Sequence, residues 1–140
     1  LDAKGRLTIP VKYREMLADV CKNQLVITYN PFEISSLFIY PEQEWQRVHD
    51  SVKPLSSFDK NHRNLQQKLI GSAFFTELDK GSRIQLPISM RTVASLDKQV
   101  ILLGMGDKFE LWNDEALMKS RHQIPDLSEG VSDDMKKLVL

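Results

Sequence analysis

A single cysteine, Cys21, stands in the 140 residues, so no disulfide can form within the chain, and a reducing cytoplasm is its expected setting. Its place just after the first predicted helix assigns it ordinary packing. An excess of charge of either sign is also lacking: 19 Lys and Arg face 19 Asp and Glu, for a formal net charge of zero. That excludes a protein coated in positive charge but leaves room for a basic patch on one face. Long hydrophobic runs are absent. The longest, such as Val100 to Leu103, fall far short of the roughly 20 residues needed to span a bilayer. No charged-then-apolar leader is visible, so secretion is not indicated. Catalytic signatures are missing as well: there is no GxGxxG, no P-loop and no GxSxG. His49, His62 and His122 are scattered through three helical segments without metal-ligand spacing and read as solvated helix-face residues. Neither an enzyme, nor a bound metal or cofactor, nor a small-molecule substrate is expected.

What the chain does have is one short stretch carried twice. Leu1-Asp2-Ala3-Lys4-Gly5-Arg6-Leu7-Thr8-Ile9-Pro10-Val11-Lys12-Tyr13-Arg14 returns 77 positions later as Leu78-Asp79-Lys80-Gly81-Ser82-Arg83-Ile84-Gln85-Leu86-Pro87-Ile88-Ser89-Met90-Arg91. Leu, Asp, Arg, Pro and the final Arg are identical in the two copies, which marks a fold assembled from copies of one unit. Asp and Arg flank three residues that include a Gly, which is turn chemistry. Leu7 and Ile9 then alternate with Thr8, and Ile84 and Leu86 with Gln85, as in strands with one buried face. Arg6 shares the outward face with Thr8, and Arg83 shares it with Gln85. Pro10 and Pro87 sit where a helix begins. Tyr13, Met16, Leu17 and Val20 follow as an amphipathic stripe, echoed by Met90, Val93 and Ala94.

The halves agree further on. Gln24 to Tyr29 and Gln99 to Leu103 read as buried strands; Leu37 to Tyr40 and Phe109 to Trp112 read as strands leading into acidic helix starts, with Asn113 as an N-cap. Between the halves lies a helical insert, Glu42 to Lys53 before Pro54, then a helix capped by Asp59 and running through Ile70. Gly71 to Glu77 reads as the first strand of a hairpin with the second motif. At the same offset its counterpart would fall before Leu1, so the first strand of repeat one is expected to lie ahead of Leu1. The expected fold class is α+β, with repeat 1 over residues 1–45, connecting helices over 46–70, repeat 2 over 71–118, and a flexible tail over 119–140 whose one weak helix spans Asp133 to Leu138.

Charge is distributed locally. Residues 1–22 hold five basic side chains against three acidic ones, and residues 47–68 hold five against two, while the stretch from Asp107 onward is acidic. Two readings of the repeated Arg stand side by side. In one, Asp2–Arg6 and Asp79–Arg83 are salt bridges bracing solvated turns, each of small energetic value. In the other, two hairpin tips present Lys4, Arg6, Lys80 and Arg83 to phosphates and base edges, with Thr8 and Gln85 on the same outward faces. A two-stranded ribbon fits the major groove, where Arg pairs with guanine and Gln with adenine. Both can hold together, because Asp can orient an Arg that reads DNA.

The paired Asp-x-x-x-Arg motifs, each followed by an aliphatic–Pro helix start, resemble the MraZ family, whose halves are similar to the SpoVT/AbrB swapped-hairpin DNA-binding fold. The likeness covers essentially the whole chain, including Tyr40-Pro41-Glu42-Gln43-Glu44-Trp45 and Phe109-Glu110-Leu111-Trp112. It implies two tandem swapped-hairpin barrel-type repeats with pseudo-twofold symmetry. It also implies a cytoplasmic, nucleoid-associated bacterial repressor of the division and cell-wall gene cluster, binding direct repeats of double-stranded DNA in its own promoter as a ring-shaped homo-oligomer. Arg6 and Arg83 are the implied DNA contacts, with Lys4 and Lys80 nearby. Copy two departs from the family pattern in having Ser82, not Gly, before its Arg. The competing reading is a ring-forming interaction scaffold without direct DNA readout.

Overall fold

The computed structural model describes residues 1–128 and 130–140. It is a mixed α+β fold whose strands pair antiparallel in two sheets. A central sheet of five strands runs in the order β4 (Phe74–Glu77), β2 (Gln24–Tyr29), β3 (Ser36–Pro41), β7 (Phe109–Asn113), β6 (Val100–Gly104). The second sheet is a ribbon of two short strands, β1 (Arg6–Thr8) and β5 (Arg83–Gln85).

Alternation along the central strands sorts their side chains to two cores. Leu25, Ile27, Leu37, Ile39, Phe109 and Leu111 face one side, where they meet Leu7, Ile9, Ile84 and Leu86 of the ribbon segments and Leu17 and Met90 of the helices that follow. Val26, Phe38 and Tyr40 face the other side and meet Trp45, Val52 and Leu69 of the insert. Strands β2 and β3 are therefore buried on both faces, which explains why they read as nearly unbroken apolar runs.

Helices α1 (Val11–Cys21) and α4 (Ile88–Val93) each follow a proline at the N-cap, one place ahead of the first helical position expected from the sequence. The four-residue stripe expected on α1 is only partly right. Leu17 and Cys21 are buried and Tyr13 packs edge-on against Phe109 at 4.8 Å, whereas Met16 and Val20 are 38% and 46% exposed. The core meets only the narrow row at i, i+4, i+8, so residues one step round the helix reach its rim. On α4 the same holds: Met90 and Ala94 are buried and Val93 is 46% exposed.

The insert is α2 (Glu42–Val52), then α3 (Lys60–Gln66), which continues into a π-helical turn over Gln67–Gly71. Asp59 caps α3 by accepting from the amides of Asn61 and His62, as the sequence suggests. Asn113 likewise caps α5 (Asp114–Arg121) by accepting from the amide of Ala116. A short α6 (Asp133–Lys136) ends sooner than expected. The tail expected from residue 119 includes Glu129, which lies outside the described residues.

One expectation is overturned. Gly71 to Glu77 does not form a hairpin with the second motif: β4 pairs with β2, in the register Gln24↔Glu77 to Ile27↔Phe74, and β5 pairs with β1. The turn itself does close, through Asp79 N donating to Arg83 O at 2.9 Å, but the two arms then part into different sheets. That exchange gives β2 a partner on its outer edge and lets Leu7 and Ile84 bury side by side.

Candidate nucleic-acid interface

The two copies of the repeated motif are brought together as one ribbon. Its register is Arg6↔Gln85, Leu7↔Ile84, Thr8↔Arg83. Leu7 and Ile84 point into the core, so Arg6, Thr8, Arg83 and Gln85 share the outward face. The sequence places these four on outward faces of two separate hairpins; the structure places them on one face built from both repeats. Arg6 and Arg83 are diagonal neighbours across the ribbon, a spacing of roughly 7–8 Å. Lys4 and Lys80 are exposed in the two loops, at positions one place apart relative to the motif.

Each loop is built the same way. One carboxylate oxygen of Asp2 accepts from the amides of Lys4 (3.0 Å) and Arg6 (2.8 Å), and the other accepts from Arg6 Nε at 2.7 Å. One oxygen of Asp79 accepts from the amides of Gly81 (2.8 Å) and Arg83 (3.0 Å), the other from Arg83 Nε at 3.1 Å. The backbone amide of Arg6 does most to hold the Asp2 carboxyl below its ordinary range; desolvation, the next largest effect, opposes it, and the Arg6 guanidinium and the Lys4 amide add to the lowering. Asp79 is lowered in the same way, first by the Arg83 amide. Both carboxylates thus stay charged and brace their loops. Only Nε of each Arg is engaged. Among the described residues the terminal guanidinium nitrogens of Arg6 and Arg83 have no partner, and these are the atoms that make a bidentate contact with a guanine edge or a phosphate.

Gly5 turns at φ +75 and Ser82 at φ +57, so the same left-handed bend is made at both places despite the change of residue. The bends cross-link the copies: Ile9 N donates to Ser82 O at 2.9 Å and Leu86 N donates to Gly5 O at 3.1 Å.

Two residues with a part in this geometry were not singled out by sequence reasoning, Arg14 and Arg91. Their Nε atoms donate to Ile9 O (2.9 Å) and Leu86 O (3.2 Å), and the Arg91 guanidinium fills the place that a Cβ on Gly5 would take. The signal was present, because this Arg is the last identity of the repeat. Gln85 is also busier than its pattern suggests: its side-chain nitrogen donates to Lys4 O at 2.7 Å.

Elsewhere the chemistry is sparse. Cys21 is buried and desolvation raises its thiol pKa, in keeping with a packing role. No cluster of three His, Cys, Asp or Glu able to hold a metal occurs among the described residues. No helix among them is long and apolar enough to cross a membrane.

Comparison with known proteins agrees with the internal repeat. A family model described as "MraZ protein, putative antitoxin-like" matches the chain twice, over residues 1–68 and 69–134. A protein of Xylella fastidiosa named transcriptional regulator MraZ is 45% identical over 136 residues, covering 95% of this chain and 92% of its own length. Proteins of the same name from Stenotrophomonas maltophilia and Xanthomonas campestris are 45% identical over 136 residues and 47% identical over 116 residues. The second of these covers 83% of this chain and 78% of the relative. A chain with two matched copies, a ribbon made from both, and relatives alike over nearly its full length belongs to the MraZ family.

Proposed function

We propose that this chain is a sequence-specific DNA-binding repressor, acting from the cytoplasm at the nucleoid on a bacterial cell-division and cell-wall gene cluster. It binds direct repeats in its own promoter as a ring-shaped homo-oligomer. The observation that carries the DNA reading is the composite ribbon: two Arg side chains, each fixed through Nε by its own Asp, extend unbonded terminal nitrogens on one outward face. A two-stranded ribbon enters the major groove, and Arg held in this manner suits guanine. Lys4 and Lys80 in the loops supply phosphate contacts, and Thr8 and Gln85 complete the face. The names of the relatives, transcriptional regulators, support the same reading. So does the exchange of strands between the repeats, which favours the swapped-hairpin, AbrB-like arrangement. Self-assembly is supported by the open outer edges of β4 and β6 and by Phe75 on β4, which is 60% exposed.

The test is fluorescence anisotropy on a duplex from the region upstream of the chain's own gene, across a salt series. The expected outcome is tight binding that falls steeply with salt, since neutralised phosphates release counterions. Arg6→Ala removes about 1–3 kcal/mol of specific binding, with an unchanged oligomer. Assembly into rings with no DNA binding at any salt would favour the interaction scaffold instead.

A further inference from the structure

The repeat gives the two loops the same chemistry, yet they are not held equally. The first loop, Asp2 to Arg6, is gripped by two side chains of the second copy. Gln85 donates from Nε2 to Lys4 O at 2.7 Å, with longer approaches to Gly5 O at 3.4 Å and Leu86 O at 3.3 Å. Arg91, anchored on Leu86 O, lays its guanidinium on Gly5, and Arg14 makes the related bond to Ile9 O at 2.9 Å, so the difference between the loops is made by Gln85. At the position related to Gln85 the first copy has Thr8, whose side chain is too short to span to the Asp79 loop and makes no hydrogen bond among the described residues. The ion pairs differ in the same direction: 2.7 Å for Asp2–Arg6 against 3.1 Å for Asp79–Arg83, with the side chain of Arg6 26% exposed and that of Arg83 35%.

A guanidinium reads a base only when its fork is aimed, because two parallel hydrogen bonds must be met at once. Contacts to phosphate tolerate much more freedom and carry no sequence information. We infer that Gln85 and Arg91 are positioning residues for the first loop, and that the two loops divide the work: Arg6 discriminates bases, while Arg83 chiefly contributes sequence-independent affinity. The inference rests on the DNA reading above and adds to it a direction along the bound duplex.

A double-mutant cycle tests it, using the full chain and two duplexes, the promoter segment and a scrambled one of equal length. The specificity ratio is the quotient of the two dissociation constants. Arg6→Ala lowers the ratio by about tenfold or more, whereas Arg83→Ala weakens binding to both duplexes alike. Gln85→Met, which keeps length but removes the donor, lowers the ratio by roughly fivefold, and adding it to Arg6→Ala lowers it no further. Arg91→Lys does the same more weakly. A residue that merely supported the fold would lower both affinities together and would not couple to Arg6 alone. Additive losses for Gln85 and Arg6 would return Gln85 to a direct base contact and overturn the inference, as would equal coupling to Arg83. If the wild-type chain showed no preference between the duplexes, the DNA reading would fail instead. Melting curves of each variant identify any that fails to fold, and Gln85→Asn then takes the place of Gln85→Met.

Discussion

The hydroxyl of Thr28 donates to the carbonyl oxygens of both Lys68 (2.6 Å) and Leu69 (3.1 Å), tying β2 to the π-helical turn at the end of the insert. Thr28 is fully buried, and a π-helical turn disturbs the regular pairing of the carbonyls around it. Replacing it by Val keeps the shape and removes the hydroxyl that Thr28 directs at Lys68 and Leu69. Thr28→Val should therefore destabilise the chain by about 1–3 kcal/mol, as expected when buried acceptors lose a donor. Urea unfolding measures it; an unchanged midpoint would show that water takes over the donor's place.

The left-handed bends make a paired prediction. A Cβ on Gly5 would meet a φ of +75 and the Arg91 guanidinium at once, so Gly5→Ala should cost about 1–2 kcal/mol. Ser82 already bears the strain of such a bend at φ +57, so Ser82→Gly should be neutral or stabilising by up to about 1 kcal/mol. Thermal melting of the two variants beside the wild type decides. Equal destabilisation by both would mean that the bends are not the strained points.

Acid should loosen the loops. The folded pKa values of Asp2 and Asp79 lie below the ordinary carboxylate value of 3.8, so the charged forms favour the fold. Their contribution is complete well above 3.8 and disappears as the pH falls through the lowered folded values. Asp2→Asn with Asp79→Asn should therefore flatten the fall in stability over that acid range and leave the pH dependence near neutrality unchanged. Chemical denaturation at a series of pH values provides the measurement.

Assembly should show in the DNA response. A neutral protomer with two basic loops offers few phosphate contacts, and binding of that kind is weak, around 10⁻⁴ to 10⁻⁶ M at physiological salt. Linked protomers make later contacts intramolecular, which raises avidity by roughly 10²–10⁴. Duplexes with one, two and three tandem operator repeats should accordingly bind with rising affinity. Equal affinity for all three, from a chain that sediments as a monomer, would contradict it.

Much of this was legible in the residues, and what was not has a physical reason. The buried apolar run Gln24–Tyr29, the caps at Asp59 and Asn113, and the turn chemistry around Asp2 and Asp79 are local signals, and each is found where expected. Strand pairing is different. Phe74–Glu77 carries nothing that tells β2 from β5 as its neighbour, because either pairing satisfies its backbone; the choice is made by burial of Leu7 against Ile84, far away in the chain. The same applies to the face of the ribbon. Arg6, Thr8, Arg83 and Gln85 could be placed outward by period, but their union on one face depends on that exchange. The grip of Gln85 and Arg91 on the first loop spans the two copies, so reading either copy alone could not find it.

The pairing of Arg6 with Gln85 has a consequence for the order of events during synthesis. The two residues are separated by roughly 80 residues, which at about 5–20 residues per second keeps the first ribbon strand waiting roughly 4–16 s for its partner to emerge. Through that interval Leu7 and Ile9 have no second copy to cover them. The first repeat is thus born incomplete and becomes sticky before it becomes stable. A ribosome that stalls soon after the insert would leave behind a fragment marked for aggregation or proteolysis, not a working half.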